Sequence, residues 1–136
     1  MANEDHLALL QKGKDVWNTW RTKEISIIPD LHGADLRGLD LEGANLTKAD
    51  LRGTDFRKAD LRFVNFSGAD LSESDFNRAH LLCANLRIAR LHKADLRRTD
   101  LSLADLSGGR PQRSAPQPGA SPPHGSPRRQ PQQGRP

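Results

Sequence analysis

Cys83 and His80 stand three residues apart, and a thiol beside an imidazole can form a nucleophile–base pair. No third residue to orient the base accompanies them, so the pairing alone carries no enzymatic reading. His32 and His92 could ligate a metal, but the periodic arrangement derived below separates them by roughly 14 Å, too far to share an ion. A series of carboxylates at Asp35, Asp55, Asp75 and Asp95 offers oxygen ligands at regular spacing. Spacing without converging oxygens does not make a cation site. Beside them run Arg37, Arg57, Asn77 and Arg97, then Lys58, Arg78 and Arg98, which suit phosphate contact. Adjacent Asp and Arg series also neutralise each other, and that plainer reading is favoured. There is no glycine-rich phosphate loop and no nucleophile elbow. The expectation is a protein that is not an enzyme, with no catalytic residues, no metal and no cofactor.

The elements that hold these residues follow from a repeat. Leu or Phe recurs every fifth residue without a break, as Leu31, Leu36, Leu41, Leu46, Leu51, Phe56, Leu61, Phe66, Leu71, Phe76, Leu81, Leu86, Leu91, Leu96, Leu101 and Leu106. Two positions earlier stands a small or modest residue, most often Ala. The residue between is Asp or Asn in fourteen of sixteen cases, His80 and Arg90 being the exceptions. A period of five fits neither a straight helix, where it would spiral over every face, nor a straight strand, where it would alternate faces. The chain must turn once per repeat, with the last two residues of each repeat at the corner. Gly33, Gly38, Gly43, Gly53 and Gly68 fit that position. Asn45, Asn65 and Asn85 are spaced by 20, as are Phe63, Cys83 and Leu103. Four repeats therefore close one coil, and sixteen make about four coils of a solenoid.

The A-(D/N)-L-x-x tandem over residues 29–108 resembles the pentapeptide repeat family. The resemblance implies an all-β solenoid, a right-handed quadrilateral β-helix with Leu/Phe and the preceding small residue stacked inside. It implies no single activity. Some members act as DNA mimics that inhibit a type II topoisomerase, but those look like long, strongly acidic rods. Here residues 1–106 carry 16 basic and 17 acidic side chains, so duplex mimicry is the lesser alternative.

Residues 1–28 form the N-terminal unit. Residues 3–23 read as one amphipathic helix capped by Asn3, with Leu9, Leu10, Val16, Trp17 and Trp20 on its apolar face. Leu10, Trp17 and Trp20 are expected to dock on the repeat. Leu9 to Gly13 and Trp17 to Arg21 also resemble leader helices of bacterial pentapeptide repeat proteins. Residues 109–136 are rich in Pro, Gln, Ser, Gly and Arg, and read as a disordered tail. Five arginines and no acid after residue 106 account for the net charge of +4. Nucleic acid is thus an unlikely partner for the body, while nucleic-acid or anionic-surface association is an alternative for the tail.

The least ordinary surface is apolar. Phe63, Cys83 and Leu103 occupy corners where Gly43 stands in the first coil, Leu82 adjoins Cys83, and Ile88 lies one edge away. Exposed apolar area of this kind marks an interface, unless the N-terminal helix covers it. The expected function is a protein-binding or scaffold module with a partner of unknown identity. Pairing of two copies through the C-terminal end is a further expectation, since Leu101, Leu103 and Leu106 would be poorly covered there. No apolar run is long enough to span a membrane. With an acidic N-terminus unlike a secretory signal and a lone cysteine, the expected setting is a bacterial cytoplasm.

Overall fold

A computed structural model describes residues 1–108 of the chain. The proline- and arginine-rich tail, and the reading of it as disordered, lie outside the described residues.

The repeat winds into a four-sided coil of 20 residues. Twelve parallel bridges join each central residue to its equivalent one coil on, including Asp30 to Asp50, Asp35 to Asp55, Asp40 to Asp60 and Asn45 to Asn65. Each side is too short for a longer ladder, so the pairing is a single bridge per side. The Leu amide of one coil donates to the carbonyl beneath the next, as from Leu61 to His80 at 2.8 Å and from Phe66 to Asn85 at 2.7 Å. Four stacked layers make a body roughly 20 Å long.

Corner geometry explains the outward residues. The second corner residue is left-handed in every repeat, at glycines such as Gly38 (φ 68°) and at non-glycines such as Phe63 (φ 58°) and Ile88 (φ 60°). Left-handed backbone strains an L residue. Here the fold imposes it ten times without glycine.

The Leu and Phe side chains fill the axis. Residues from Leu31 to Leu86 in the series are fully buried, Leu96 is nearly so, and Leu91 and Leu101 are partly exposed at the last coil. The ring of Phe56 stacks on that of Phe76, with centroids 4.9 Å apart. Phe66 meets both edge-on, at 5.6 and 6.1 Å.

The middle Asp or Asn has a local task. In all fourteen cases its side-chain oxygen accepts the backbone N–H two residues on, as Asn65 Oδ1 does from Ser67 at 3.0 Å. This closes the corner as an Asx turn. His80 and Arg90 cannot do so, and among the described residues the Leu82 and His92 amides have no such acceptor. His92 Nδ1 is also buried without a partner. In the first coil, Asp30 satisfies both groups of His32, its amide at 3.3 Å and Nδ1 at 2.6 Å. Arg90→Asp would give His92 the same acceptor. The expected gain is about 1 kcal/mol, read from the urea midpoint. An unchanged or lower midpoint would contradict the assignment.

The N-terminal unit is two helices rather than one. Helix α1 spans Glu4–Gln11 and α2 spans Lys14–Lys23. Gly13, at φ 114°, breaks the run, because its backbone leaves helical space altogether. Asn3 caps α1 by accepting the amides of Asp5 and His6. Leu10 and Trp17 are buried and Trp20 half-buried, whereas Val16 lies outside the apolar face and is exposed. The break rotates α2 relative to the single-helix register.

Candidate functional site

The helices sit on the N-terminal edge of the solenoid. Side chains there stand in for a preceding coil on two of the four sides. The Trp17 indole N–H donates to the Asn45 carbonyl at 2.7 Å. Asn18 accepts the Asn45 amide at 2.8 Å and donates to the Gly43 carbonyl at 3.1 Å, copying the pairing of a neighbouring strand. Arg21, buried, donates to the Thr47 carbonyl and hydroxyl at 2.8 Å and to the Ile27 carbonyl at 3.2 Å. His6 Nδ1 accepts the Asp30 amide at 2.9 Å. Of these residues only Trp17 carried a signal in the sequence, its size. Asn18 and Arg21 read as ordinary helix-surface residues until the docking geometry is known.

The helices therefore bind the end and leave the corner ridge bare. Phe63 is 55% exposed, Ile88 56% and Leu103 81%. Leu82 and Cys83 are half-buried. The Phe63 amide donates to Leu82 and the Cys83 amide to Ser102, so Phe63, Cys83 and Leu103 follow one another coil by coil. Ile88 stands on the next corner, above Gly68 and below Gly108, where a Cβ on Gly108 would come within 3.2 Å of its side chain. No hydrogen bond joins His80 to Cys83 among the described residues.

The charged sides are self-paired. Arg37, Arg57 and Arg97 each grip the Asp two residues before in a forked pair, with closest contacts of 2.7 to 2.8 Å. Arg52 with Asp50 and Arg62 with Asp60 repeat the pattern. The Asp oxygens thus hydrogen-bond within their own corner, and Arg37 and Arg57 also reach Asp55 and Asp75 of the next coil at the longer distance of 3.7 Å. Hydrogen bonding from the Arg37 side chain holds the Asp35 carboxyl down to about 2. The same cause, from Arg52, Arg57, Arg62 and Arg97, lowers Asp50, Asp55, Asp60 and Asp95. These folded values lie below the ordinary carboxylate value. The pairs therefore contribute stability above about pH 4, and that contribution is lost as the pH falls from there toward 2. The urea midpoint is expected to drop across that window. A flat midpoint would contradict it.

Two groups of side chains bring ligand atoms within 4.8 Å of one another: Asp30, His32 and Asp50, and Asp40, Glu42 and Asp60. Both Asp50 oxygens are engaged by Arg52 at 2.7 to 2.8 Å, and both Asp60 oxygens by Arg62 at the same distances. Those arginines supply the positive charge that a cation would bring. Among the described residues no helix is long and apolar enough to cross a membrane.

The family model for pentapeptide repeats in eight copies matches residues 30–62, 59–97 and 69–108. No curated protein matches the chain. Among solved structures, a pentapeptide repeat protein of Nostoc PCC 7120 is 38% identical, with 54% of this chain and 57% of that one covered and a TM-score of 0.41. HetL of the same strain, a pentapeptide repeat protein involved in heterocyst differentiation regulation, is 36% identical over 56% of this chain and 38% of its own, with a TM-score of 0.39. A pentapeptide repeat protein of the Arabidopsis thaliana thylakoid lumen is 30% identical over 67% and 59%, with a TM-score of 0.46. This chain spans less than two thirds of each. Pentapeptide repeat proteins are in general structural and interaction modules without catalytic activity. With family matches running continuously from residue 30 to residue 108, more than half of its length, the chain belongs to the pentapeptide repeat family.

Proposed function

We propose that the chain is a non-catalytic protein-binding module that presents a rigid solenoid face to a protein partner. The observation that carries this reading is the ridge of Phe63, Cys83 and Leu103, flanked by Leu82 and Ile88. Its large side chains are held outward by left-handed corners and left uncovered by the helices. Phe63, Cys83 and Ile88 cannot turn inward, because their amides are held by carbonyls of the next coil. The apolar area is therefore permanent, and contiguous apolar surface of this kind favours a partner. Alternation of paired Asp and Arg on the other sides argues against a duplex mimic, which needs unbroken negative charge.

The test is affinity capture from source-organism lysate with the full chain and with a Phe63→Ser, Leu82→Ser, Ile88→Ser, Leu103→Ser variant, both shown folded by circular dichroism. A protein held by the first and lost by the second supports the reading. Equal capture, or none, retires it.

A second reading is pairing of two copies through the C-terminal end. Leu103 and Leu106 are exposed there. Among the described residues, the amides of Leu91, Leu96, Leu101 and Leu106 have no coil to donate to. A monomer mass independent of concentration for the full chain would remove it.

A further inference from the structure

The corner that follows the Arg37, Arg57 and Arg97 series carries Gly38, Lys58, Arg78 and Arg98, one per coil. Lys58, Arg78 and Arg98 are exposed, in left-handed backbone. Among the described residues none of the three enters an ion pair, whereas the neighbouring arginines are taken up by Asp35, Asp55 and Asp95. The side beside this corner is thus largely neutralised by its own pairs, and the three corner cations form a file without ion pairs, with layers about 4.8 Å apart. At the head of the file Gly38 contributes no side chain. A cavity of about 490 Å³ opens there, lined by Gln11, Arg37, Leu39, Arg57 and Lys58 among others.

We propose that this corner docks an extended acidic segment of a protein partner. Three features select that chemistry. Carboxylates flank the file on both sides, at Asp55, Asp75 and Asp95 on one and at Asp60 and Asp100 on the other. Most of them are already held by their own arginines, so the exposed cations form a strip one side chain wide, which matches a single narrow chain rather than the two strands of a nucleic-acid duplex. No aromatic side chain stands on this corner to stack a base, which disfavours single-stranded nucleic acid. An extended peptide presents same-face side chains about 6.7 Å apart, and the long Lys and Arg side chains absorb the difference from the layer spacing. Leu39, beside the cations in the cavity, gives the methylenes of a leading glutamate an apolar contact. The inference rests on the reading of the chain as a protein-binding module. It uses a different corner from the apolar ridge, so charge variants and ridge variants fail separately.

The experiment is fluorescence anisotropy of a labelled decaglutamate peptide with the full chain at low salt. The Lys58→Ser, Arg78→Ser, Arg98→Ser variant is expected to bind about tenfold more weakly, as the loss of three exposed charge pairs implies. A control variant removes three exposed cations elsewhere, Lys48→Ser, Arg87→Ser and Lys93→Ser, and keeps the same tail. It is expected to change binding less than about twofold. Equal losses in the two variants, or no loss in either, would assign the binding to the tail or to net charge and overturn the proposal. An oligothymidylate of equal charge that displaced the peptide at lower concentration than unlabelled peptide would overturn it as well.

Discussion

Replacing Phe66 by alanine is expected to lower the unfolding free energy by about 3 to 5 kcal/mol. Phe66 is fully buried and touches the rings of Phe56 and Phe76 edge-on from the opposite side of the coil. Truncation leaves a void in the middle of the axis. The upper half of the range applies where surroundings cannot collapse, and that is the case here. The Phe66 amide is tied to Asn85 at 2.7 Å and the Asn65 amide to Ala44 at 3.0 Å, so both neighbouring coils hold the backbone in place. Phe66→Leu, which restores the commonest residue of the series, is expected to cost less than about 1.5 kcal/mol. Urea unfolding of the full chain measures both. A native protein holds only about 5 to 15 kcal/mol in all, so the alanine variant should stand close to unfolding at room temperature. A loss below about 1 kcal/mol would mean that the axis repacks, and that the three rings are not the centre of the fold.

The leucine period exposes most of this architecture in the sequence, because a side-chain pattern that satisfies neither a helix nor a strand leaves turning as the only solution. The spacing of Asn45, Asn65 and Asn85 then sets four sides to a coil, and the bridges from Asn45 to Asn65 and from Asn65 to Asn85 follow that register. The break at Gly13 was less legible. Helix propensity counts a glycine as a cost of about 1 kcal/mol, which a longer helix can bear. It does not say that the backbone must leave helical space to lay α2 across the solenoid end. The contributions of Asn18, Arg21 and His6 were not legible at all. Each acts on a backbone group some 24 to 27 positions away, and only the docked geometry shows that the group would otherwise be bare. The corner residues lie between these cases. Position in the repeat puts Phe63 and Leu103 outside, but whether a helix lies over them depends on which edge the helices bind.

That edge supplies the second large effect. Trp17→Ala is expected to cost about 3 to 5 kcal/mol, as removal of a fully buried tryptophan does, and to free the helices from the first coil. Trp17→Phe separates the two parts of the effect. It keeps most of the buried area but leaves the Asn45 carbonyl without the indole donor, a loss of about 1 to 3 kcal/mol. Hydrogen exchange locates the damage. The Asn45 amide is protected by the Asn18 side chain, whereas the Asn85 amide is protected by Val64 within the repeat. In the Trp17→Ala chain Asn45 should lose protection while Asn85 keeps it, since undocking is a local opening and the inner coils remain paired. Parallel loss at both amides would show instead that helices and solenoid unfold as one unit. The distinction bears on why the helices are there. A four-sided coil that ends in bare amides and carbonyls offers an edge to any other strand. Asn18, Trp17 and Arg21 occupy those groups with side chains rather than with another coil. Two of the four sides of the first turn are thereby closed by side chains, at Asp30 and Asn45, while among the described residues the Asp35 and Asp40 amides have no acceptor.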